Sequence, residues 1–167
     1  MHKILERRVV PVVIIDKAEL AVPLAEAILA GGLDVMEITF RTASAAECIR
    51  RIATALPKML VGAGTLLQPD QVVQAVNAGA GFGVSPGFNP RVVNKAREIK
   101  LPFCPGVMTP TDIEAALELG CKLLKFFPAE PAGGIATLKA ITAPYAHIGV
   151  KFIPLGGINI KNAADYL

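Results

Sequence analysis

Short β-branched runs alternate with helical segments along this chain, at intervals of roughly 20–25 residues. Such alternation is typical of β-α units, which build a parallel sheet with helices packed outside it. We predict seven strands, over residues 9–15, 35–40, 59–64, 81–85, 101–105, 123–128 and 151–156. Helices are predicted between them, including 17–30, 43–56, 68–78 and 109–119.

Seven β-α units fit two α/β architectures. A doubly wound sheet could hold them, but the short, near-uniform connections and the polar residues at successive strand ends favour a (β/α)8 TIM barrel. Such barrels typically contain ~250 residues, whereas this chain has 167. An open seven-stranded barrel would leave two parallel strand edges unpaired. We therefore expect one barrel domain over residues 1–167, with the C-terminal unit and its eighth strand missing from this sequence.

Glycine and proline mark the predicted helix ends. A helix often ends at a left-handed residue, which glycine adopts without strain, and we expect this at Gly31, Gly79 and Gly120. Proline is tolerated in the first helical turn, where its missing N–H costs nothing, and we expect helix starts near Pro69, Pro90 and Pro110.

Composition argues against several classes of partner. Seventeen basic and fourteen acidic residues give a net charge of +3 without clustering, and aromatic residues make up only 5% of the chain. This pattern offers no phosphate-tracking patch or base-stacking surface, so we expect no nucleic acid partner. No apolar run approaches the ~18 residues of a membrane helix, so we expect no membrane partner. Basic residues precede the apolar run 9–15, as in a signal peptide. Because Pro11 lies within the run and Asp16 ends it, we interpret it as a strand and not a signal peptide.

The cysteines and histidines are scattered. Cys48, Cys104 and Cys121 form an odd set without a C-x-x-C pair, which favours free thiols in a reducing cytoplasm. His2 and His147 stand alone and are assigned to the surface. Because no His, Asp and Glu cluster has metal-ligand spacing, we predict no metal and no cofactor.

Lys125 is the most informative single residue. It lies in an apolar strand that ends in proline, and a lysine rarely enters a core unpaired because burying its charge is costly. Burial favours the neutral amine, which can attack a ketone. Inward and outward residues alternate along a barrel strand. An inward Lys125 would share its face with Leu123 and Phe127, while Leu124 and Phe126 pack under helices.

The ends of other strands supply polar partners. Glu37, Thr39 and Arg41 share one parity, so the carboxylate would point inward with the guanidinium above it at the rim. Glu37 can shuttle protons, Arg41 can pair bidentately with a carboxylate, and Thr65 adds a hydroxyl donor. The glycine pair at 156–157 would let backbone N–H groups approach a phosphate. This layout suits Schiff-base chemistry on a 2-keto acid.

Each assignment has a structural alternative. Lys125 could be a structural lysine paired with Glu37, or could extend to the rim, and Arg41 could be a solvated rim charge. The glycines at 62 and 64 resemble the start of a dinucleotide fingerprint, but the third glycine and the later acidic residue are missing, so that interpretation is rejected.

Six motifs, taken in order, resemble the KDPG/KHG aldolase family of class I aldolases. These enzymes cleave 2-keto-3-deoxy-6-phosphogluconate (KDPG) or 4-hydroxy-2-oxoglutarate (KHG) to pyruvate and an aldehyde. The motifs are EITFRT (37–42), VGAGT (61–65), VSPG (84–87), PGVMTP (105–110), KFFPAE (125–130) and PLGGI (154–158). The resemblance implies Lys125 as the Schiff-base lysine, Glu37 as the acid/base, Arg41 and Thr65 on the carboxylate, Pro86 and Phe127 lining the site, and Gly156 and Gly157 near the phosphate.

The resemblance also implies properties of the whole protein. Members are typically cytoplasmic homotrimers that take a small 2-keto acid as substrate. The family usually has a threonine before the paired glycines, whereas this chain has Leu155, and we expect that change to affect which aldehyde end is recognised. The family's phosphate-binding serine follows strand eight and would lie beyond Leu167.

The leading interpretation is therefore a metal-independent lyase, a class I aldolase acting on KDPG, KHG or both. A phosphosugar epimerase or isomerase on the same kind of barrel would need a second acid/base group facing Glu37, and the sequence offers none better than Lys125. A non-catalytic protein that binds 2-keto acids is the third interpretation, because it would keep the carboxylate site without turnover.

Overall fold

The computed structural model describes residues 2–167, and all seven predicted strands are present with shorter bounds. The fifth is divided into two short pieces at Pro105. The strands are β1 (Val12–Val13), β2 (Val35–Thr39), β3 (Leu60–Gly64), β4 (Gly83–Val84), β5 (Phe103–Cys104), β6 (Gly106–Val107), β7 (Leu123–Phe126) and β8 (Lys151–Pro154).

Helices connect these strands, and the four predicted helices are present with bounds that differ by a few residues. The helices are α1 (His2–Arg7), α2 (Ala21–Ala30), α3 (Ala45–Ala55), α4 (Pro69–Asn77), α5 (Pro90–Glu98), α6 (Pro110–Glu118), α7 (Gly134–Thr142) and α8 (Ala163–Tyr166). Two 3-10 helices complete the set, Ala18–Leu20 before α2 and Ala143–Ile148 after α7. None of the helices in the described residues is long and apolar enough to cross a membrane.

The strands lie side by side in chain order and are parallel throughout. One sheet has the order β1-β2-β3-β4-β5 and a second has the order β6-β7-β8, and only Pro105 separates β5 from β6 along the chain. Every described strand but β5 is followed by a helix of at least four residues before the next strand or the end of the chain. This arrangement confirms the predicted (β/α)8 TIM barrel, of which seven β-α units are present.

The strands separate two apolar layers. Leu123 packs inside with a cluster drawn from other strands, whereas its neighbour Leu124 packs outside against Ile113 and Ala116 of α6. The interior cluster consists of Ile4, Val35, Phe82, Val84, Cys104 and Leu123. The predicted alternation along the strand around Lys125 is therefore confirmed, and Lys125 lies on the inward face with Leu123.

Helix α1 closes the N-terminal end of the barrel, a feature that the sequence did not suggest. Ile4 is buried within the interior cluster, beside Val35 at the start of β2. On the surface, Arg7 donates hydrogen bonds of 2.7 and 3.2 Å to the two carboxylate oxygens of Asp34, and Lys3 lies 3.1 Å from the same carboxylate. These contacts hold α1 against the loop that leads into β2.

Most of the predicted helix ends are confirmed, and one is wrong. Pro69, Pro90 and Pro110 are the first residues of α4, α5 and α6. Gly79 and Gly120 have left-handed φ angles of 95° and 77°, as expected. After α2, however, Gly31 keeps a φ of −75° and Gly32 takes the left-handed conformation, with a φ of 91°. The helix cap therefore lies one residue later than predicted.

The first strand ends earlier than predicted because side-chain hydroxyl groups, and not backbone groups of β2, bind the backbone near its C-terminal end. Only Val12 and Val13 pair with β2. The carbonyl of Ile15 accepts hydrogen bonds from the hydroxyls of Thr42 (2.7 Å) and Ser44 (2.6 Å), which lie between β2 and α3. These side-chain bonds replace the backbone pairing that would have extended the strand.

Candidate active site

Lys125 lies in the barrel interior near the C-terminal end of β7. Its side chain is only 6% exposed, and its neighbours across the sheet are Gly106 on β6 and Ile153 on β8. The backbone N–H of Lys125 donates to the carbonyl of Pro105 (2.8 Å). The residue that separates β5 from β6 is therefore still hydrogen-bonded to β7. The amine Nζ lies 5.2 Å from the centroid of the Phe127 ring, within cation–π range.

Glu37 is the second buried ionisable group in the interior, on β2. It is 4% exposed, and its Oε1 has no hydrogen-bond partner among the described residues. Burial raises the pKa of the Glu37 carboxyl, and the charge of nearby Lys125 opposes part of that shift. Neither a hydrogen bond nor an ion pair joins the two side chains within residues 2–167.

Thr65 follows β3 at the same end of the barrel, which we call the C-terminal mouth. It is half-buried and has a φ of 57°, an uncommon conformation for a β-branched residue. Such backbone strain concentrates at functional sites, where the surrounding structure holds it in place. The preceding residue, Gly64, lies against the Glu37 carboxylate, so Thr65 is one residue away from the acid.

Arg41 lies just beyond the end of β2 and is exposed. Among the residues that the structure describes, no side chain binds its guanidinium. It lies two residues after Thr39, the last residue of β2. The guanidinium is therefore available for an anionic ligand.

Pro86 makes a close backbone contact with Gly106. A Cβ on Gly106 would lie 2.1 Å from the carbonyl oxygen of Pro86, so this approach is possible only because residue 106 has no side chain. Gly106 is the cross-strand neighbour of Lys125. The turn is held by Ser85, whose buried hydroxyl donates to the carbonyl of Gly87 (2.7 Å).

The segment 155–157 packs against the chain that follows Lys125. Leu155 donates its backbone N–H to Phe126 (3.0 Å) and accepts one from Ala129 (2.8 Å). Gly156 and Gly157 have left-handed φ angles of 106° and 81°, so both positions require glycine. The half-buried Leu155 and the two glycines therefore lie beside β7 at the mouth, as predicted.

Cys104 is an interior residue that the sequence analysis left without a role. It is 1% exposed on β5, and burial raises the pKa of its thiol far above the usual range. The charges of Lys125 and Glu37 act on that thiol in opposite directions, so Cys104 lies near both groups. The alternation along the fifth predicted strand, 101–105, is the signal that could have found it, because it places Cys104 on the face opposite Leu101 and Phe103.

Neither a metal-binding cluster nor a second cavity adds residues to this site in the described part of the chain. In the described part of the chain, no three His, Cys, Asp or Glu side chains are placed to hold a metal ion. A cavity of about 400 Å³ lies at the opposite end of the barrel, lined by Leu5, Leu101, Phe103 and Leu123 among others. That cavity contains none of the predicted site residues.

The chain resembles known proteins in sequence and in fold. The family model for KDPG and KHG aldolase matches residues 1–167. The chain is 50% identical over 164 residues to the 2-dehydro-3-deoxy-phosphogluconate aldolase of Treponema pallidum (strain Nichols), which covers 98% of this chain and 77% of that protein. It is 44% identical over 159 residues to the KHG/KDPG aldolase of Escherichia coli (strain K12), covering 95% of this chain and 74% of that one.

A solved structure extends the likeness to the fold. The KDPG aldolase of Legionella pneumophila, with pyruvate captured at low pH as a covalent carbinolamine intermediate, superposes with a TM-score of 0.90 at 42% identity. The match covers 95% of this chain and 76% of that one.

Proposed function

Because the chain belongs to the KDPG and KHG aldolase family, we propose that it is a class I aldolase that cleaves KDPG to pyruvate and glyceraldehyde 3-phosphate. The proposal assigns the imine to Lys125 and proton transfer to Glu37. One observation carries this assignment. Two buried groups of opposite character lie near each other in the barrel interior, and no hydrogen bond or ion pair joins them.

In the first half of the reaction the neutral amine of Lys125 attacks the ketone carbon C2 of the substrate. The oxygen takes a proton to give a carbinolamine, and loss of water then gives a protonated imine. Glu37 is close enough to Lys125 for the two charges to interact, and it can carry these protons directly or through a water. Its unpartnered Oε1 leaves it free to do so.

In the second half the imine accepts electrons from the C–C bond. Removal of the proton from the C4 hydroxyl forms the aldehyde, the C3–C4 bond breaks, and the electron pair forms an enamine at C2–C3. Protonation at C3 restores the imine, now of pyruvate, and water hydrolyses it to release pyruvate and free Lys125. Glu37 is the proposed base and acid for both proton transfers, and its raised pKa suits a group that must do both.

The remaining predicted residues would bind the two ends of the substrate. Arg41, with no protein partner in the described residues, and Thr65 are proposed to bind the carboxylate. Pro86 and Phe127 would form walls on either side of the lysine, supported by the Gly106 contact and the 5.2 Å ring distance. The glycines of the 155–157 segment would bind the phosphate through backbone N–H groups.

KHG shares the keto-acid half of this substrate, so the same groups would cleave it to pyruvate and glyoxylate. The two activities differ only at the aldehyde end, where Leu155 and the paired glycines lie. We propose that both are reactions of this site, with the preference set by those residues.

A homotrimeric assembly and a cytoplasmic location are further parts of the proposal. Exposed apolar side chains near the mouth, Leu67 and Met108, support a subunit interface. Three cysteines without a disulfide support a reducing compartment. Light scattering after size-exclusion chromatography tests the assembly, and a monomer would contradict it.

Borohydride trapping tests the function. Pyruvate with borohydride should add one reduced pyruvyl group, and peptide mapping should place it on Lys125, with no adduct in Lys125→Gln. Lys122→Gln is the matched control, because Lys122 is exposed on the same segment and should leave trapping unchanged. Cleavage of KDPG should follow the same pattern. An adduct on Lys122 or Lys151, or none at all, would contradict the assignment.

A further inference from the structure

Gly64 occupies the last position of β3, where the Glu37 side chain crosses it. A Cβ built on Gly64 would lie 1.7 Å from Glu37 Oε1 and 2.5 Å from its Cδ, distances that real Cβ atoms essentially never show. The carboxylate therefore occupies the volume that any other residue at position 64 would fill. Gly64 lies outside the left-handed region, so the fold uses its missing side chain and not its backbone freedom.

Gly62, two residues earlier on the same face of β3, leaves space for a different side chain. A Cβ there would lie 2.2 Å from Cζ of the Phe82 ring, in the interior apolar cluster. Each glycine makes room for the side chain of a residue on or next to a neighbouring strand, and the overlap that alanine would create is severe at each. Only at Gly64 is that side chain an ionisable group.

We propose that Gly64 is a positioning residue for the acid/base step, because its lack of a side chain lets the Glu37 carboxylate lie in the interior with Oε1 free of protein partners. The inference rests on the proposed function, since it assigns a purpose to that placement. It also explains why a carboxylate can be both deeply buried and unpartnered at this position, where a side chain on β3 would otherwise displace it.

The proposal fixes the direction of a pH effect. The ionisable groups that face Glu37 are the Lys125 amine from β7 and the Cys104 thiol from β5. A carboxylate pushed out by a methyl group at residue 64 moves either toward solvent or toward Lys125. The first movement relieves burial and the second brings a positive charge closer, so both lower the pKa of Glu37.

The test compares Gly64→Ala with Gly62→Ala. In Gly64→Ala we expect kcat for KDPG cleavage to fall about 100-fold, as for an acid/base group misplaced by about 1 Å, and the acidic limb of the kcat profile to move to lower pH. The final yield of the borohydride-trapped pyruvyl adduct should match the unsubstituted chain, because Lys125 is untouched. Gly62→Ala should lower the melting temperature but leave the acidic limb in place.

A second variant separates positioning from packing. Glu37→Asp withdraws the carboxylate by one methylene and relieves the closest overlap. Introduced into Gly64→Ala, it should raise kcat or cost much less than it does in the unsubstituted chain, a non-additivity expected only of groups in contact. If Gly64→Ala alone does not fold, recovery of soluble protein in the double variant supports the same contact, and failure to recover overturns it.

Different results would contradict the proposed function and the positioning role of Gly64. If the unsubstituted chain gives no adduct with pyruvate and does not cleave KDPG, the proposed function is wrong. If it does both, but the pH limb of Gly64→Ala behaves like that of Gly62→Ala and Glu37→Asp is additive with Gly64→Ala, only the positioning role is wrong.

Discussion

The two ends of this barrel treat charged side chains in opposite ways. At the N-terminal end Asp34 is bound by Arg7 and Lys3, all on the surface, while the interior beneath them is apolar around Ile4. At the C-terminal mouth Glu37 and Lys125 are buried, and no hydrogen bond or ion pair joins them in the described residues.

This difference suggests that the charged groups at the N-terminal end serve stability and that those at the mouth serve function. Exposed ion pairs cost little to form and contribute modestly, whereas a buried charge without a partner opposes folding. Sequences retain such groups mainly where chemistry requires them. Replacing Glu37 or Lys125 by a neutral polar residue should therefore change activity without lowering stability, and substitutions at the N-terminal end should do the reverse.

The largest effect is expected at Glu37. Glu37→Gln should lower kcat for KDPG cleavage by ~10²–10⁴-fold, the usual loss for one acid/base group, while pyruvate still binds. A stopped assay of pyruvate release, with pyruvate binding measured separately, distinguishes these steps. A variant with near-normal kcat would mean that Glu37 is only a structural neighbour of Lys125.

The same substitution should stabilise the protein in a defined pH range. The folded-state pKa of Glu37 is raised, so its contribution to stability is present below the unfolded value of about 4.3 and is lost as pH rises through the folded value. Gln cannot ionise, and Glu37→Gln should therefore melt at a higher temperature than the unsubstituted chain at pH 7. The difference should shrink as the pH approaches 4, and a lower melting temperature at pH 7 would contradict this.

The next effect is expected at the closed end. Ile4→Ala leaves a cavity in the interior cluster, and large-to-small core substitutions of this kind cost 2–5 kcal/mol, so we expect about that loss in the free energy of unfolding. Leu5→Ala is the control, because Leu5 is 46% exposed and should cost less than about 0.5 kcal/mol. Denaturant unfolding measures both. Neither change should alter kcat. A loss of activity in Ile4→Ala would contradict the assignment of stability to the N-terminal end and of activity to the mouth.

The sequence predicted the barrel because strand parity and helix starts are local properties. Helices α4, α5 and α6 each begin with a proline. Leu123 and Leu124 face opposite sides of the sheet. Each of these features depends on only a few consecutive residues. Helix α1 was missed because six residues carry little helical signal, and it is held by contacts to Asp34 and to the distant interior cluster.

The site was predicted in outline for the same reason. Glu37 and Lys125 could be placed on the inward face from parity alone. Their lack of a mutual hydrogen bond, the space that Gly64 provides and the nearness of Cys104 depend on how strands distant in sequence approach each other. Spacing along one strand contains no information about such distances. The sequence therefore indicated which two groups are proposed to react, but not their relative placement.

A smaller effect is expected at Leu155, where we propose that the aldehyde end of the substrate binds. Both backbone groups of Leu155 are hydrogen-bonded, so Leu155→Thr should keep the loop and add a hydroxyl donor. We expect kcat/KM for KDPG to rise by the worth of one hydrogen bond to a charged group, ~1.5–3 kcal/mol or about 10–150-fold. The control is pyruvate imine formation, which should not change. A fall in kcat/KM would indicate that Leu155 forms an apolar wall for a substrate without a phosphate there.

The smallest effect is expected at Asp34, and its sign is opposite to that at Glu37. Hydrogen bonds from Arg7 and then Lys3 lower the pKa of the Asp34 carboxyl, so its contribution to stability is present above the unfolded value of about 3.9 and is lost as pH falls. Asp34→Asn should slightly lower the melting temperature at pH 7, and the difference should disappear in acid.

Hydrogen exchange locates this effect in the structure. Asp34→Asn should speed exchange of the α1 amides, because the ion pairs to α1 are lost, while β7 at the mouth stays protected. Glu47→Gln is the matched control: Glu47 is also paired with two arginines, and its pKa is lowered to about 2, but all three residues lie on α3. That variant should leave α1 exchange unchanged. If both variants loosen α1 equally, its docking depends on the overall charge of the surface and not on the pairs that Asp34 forms.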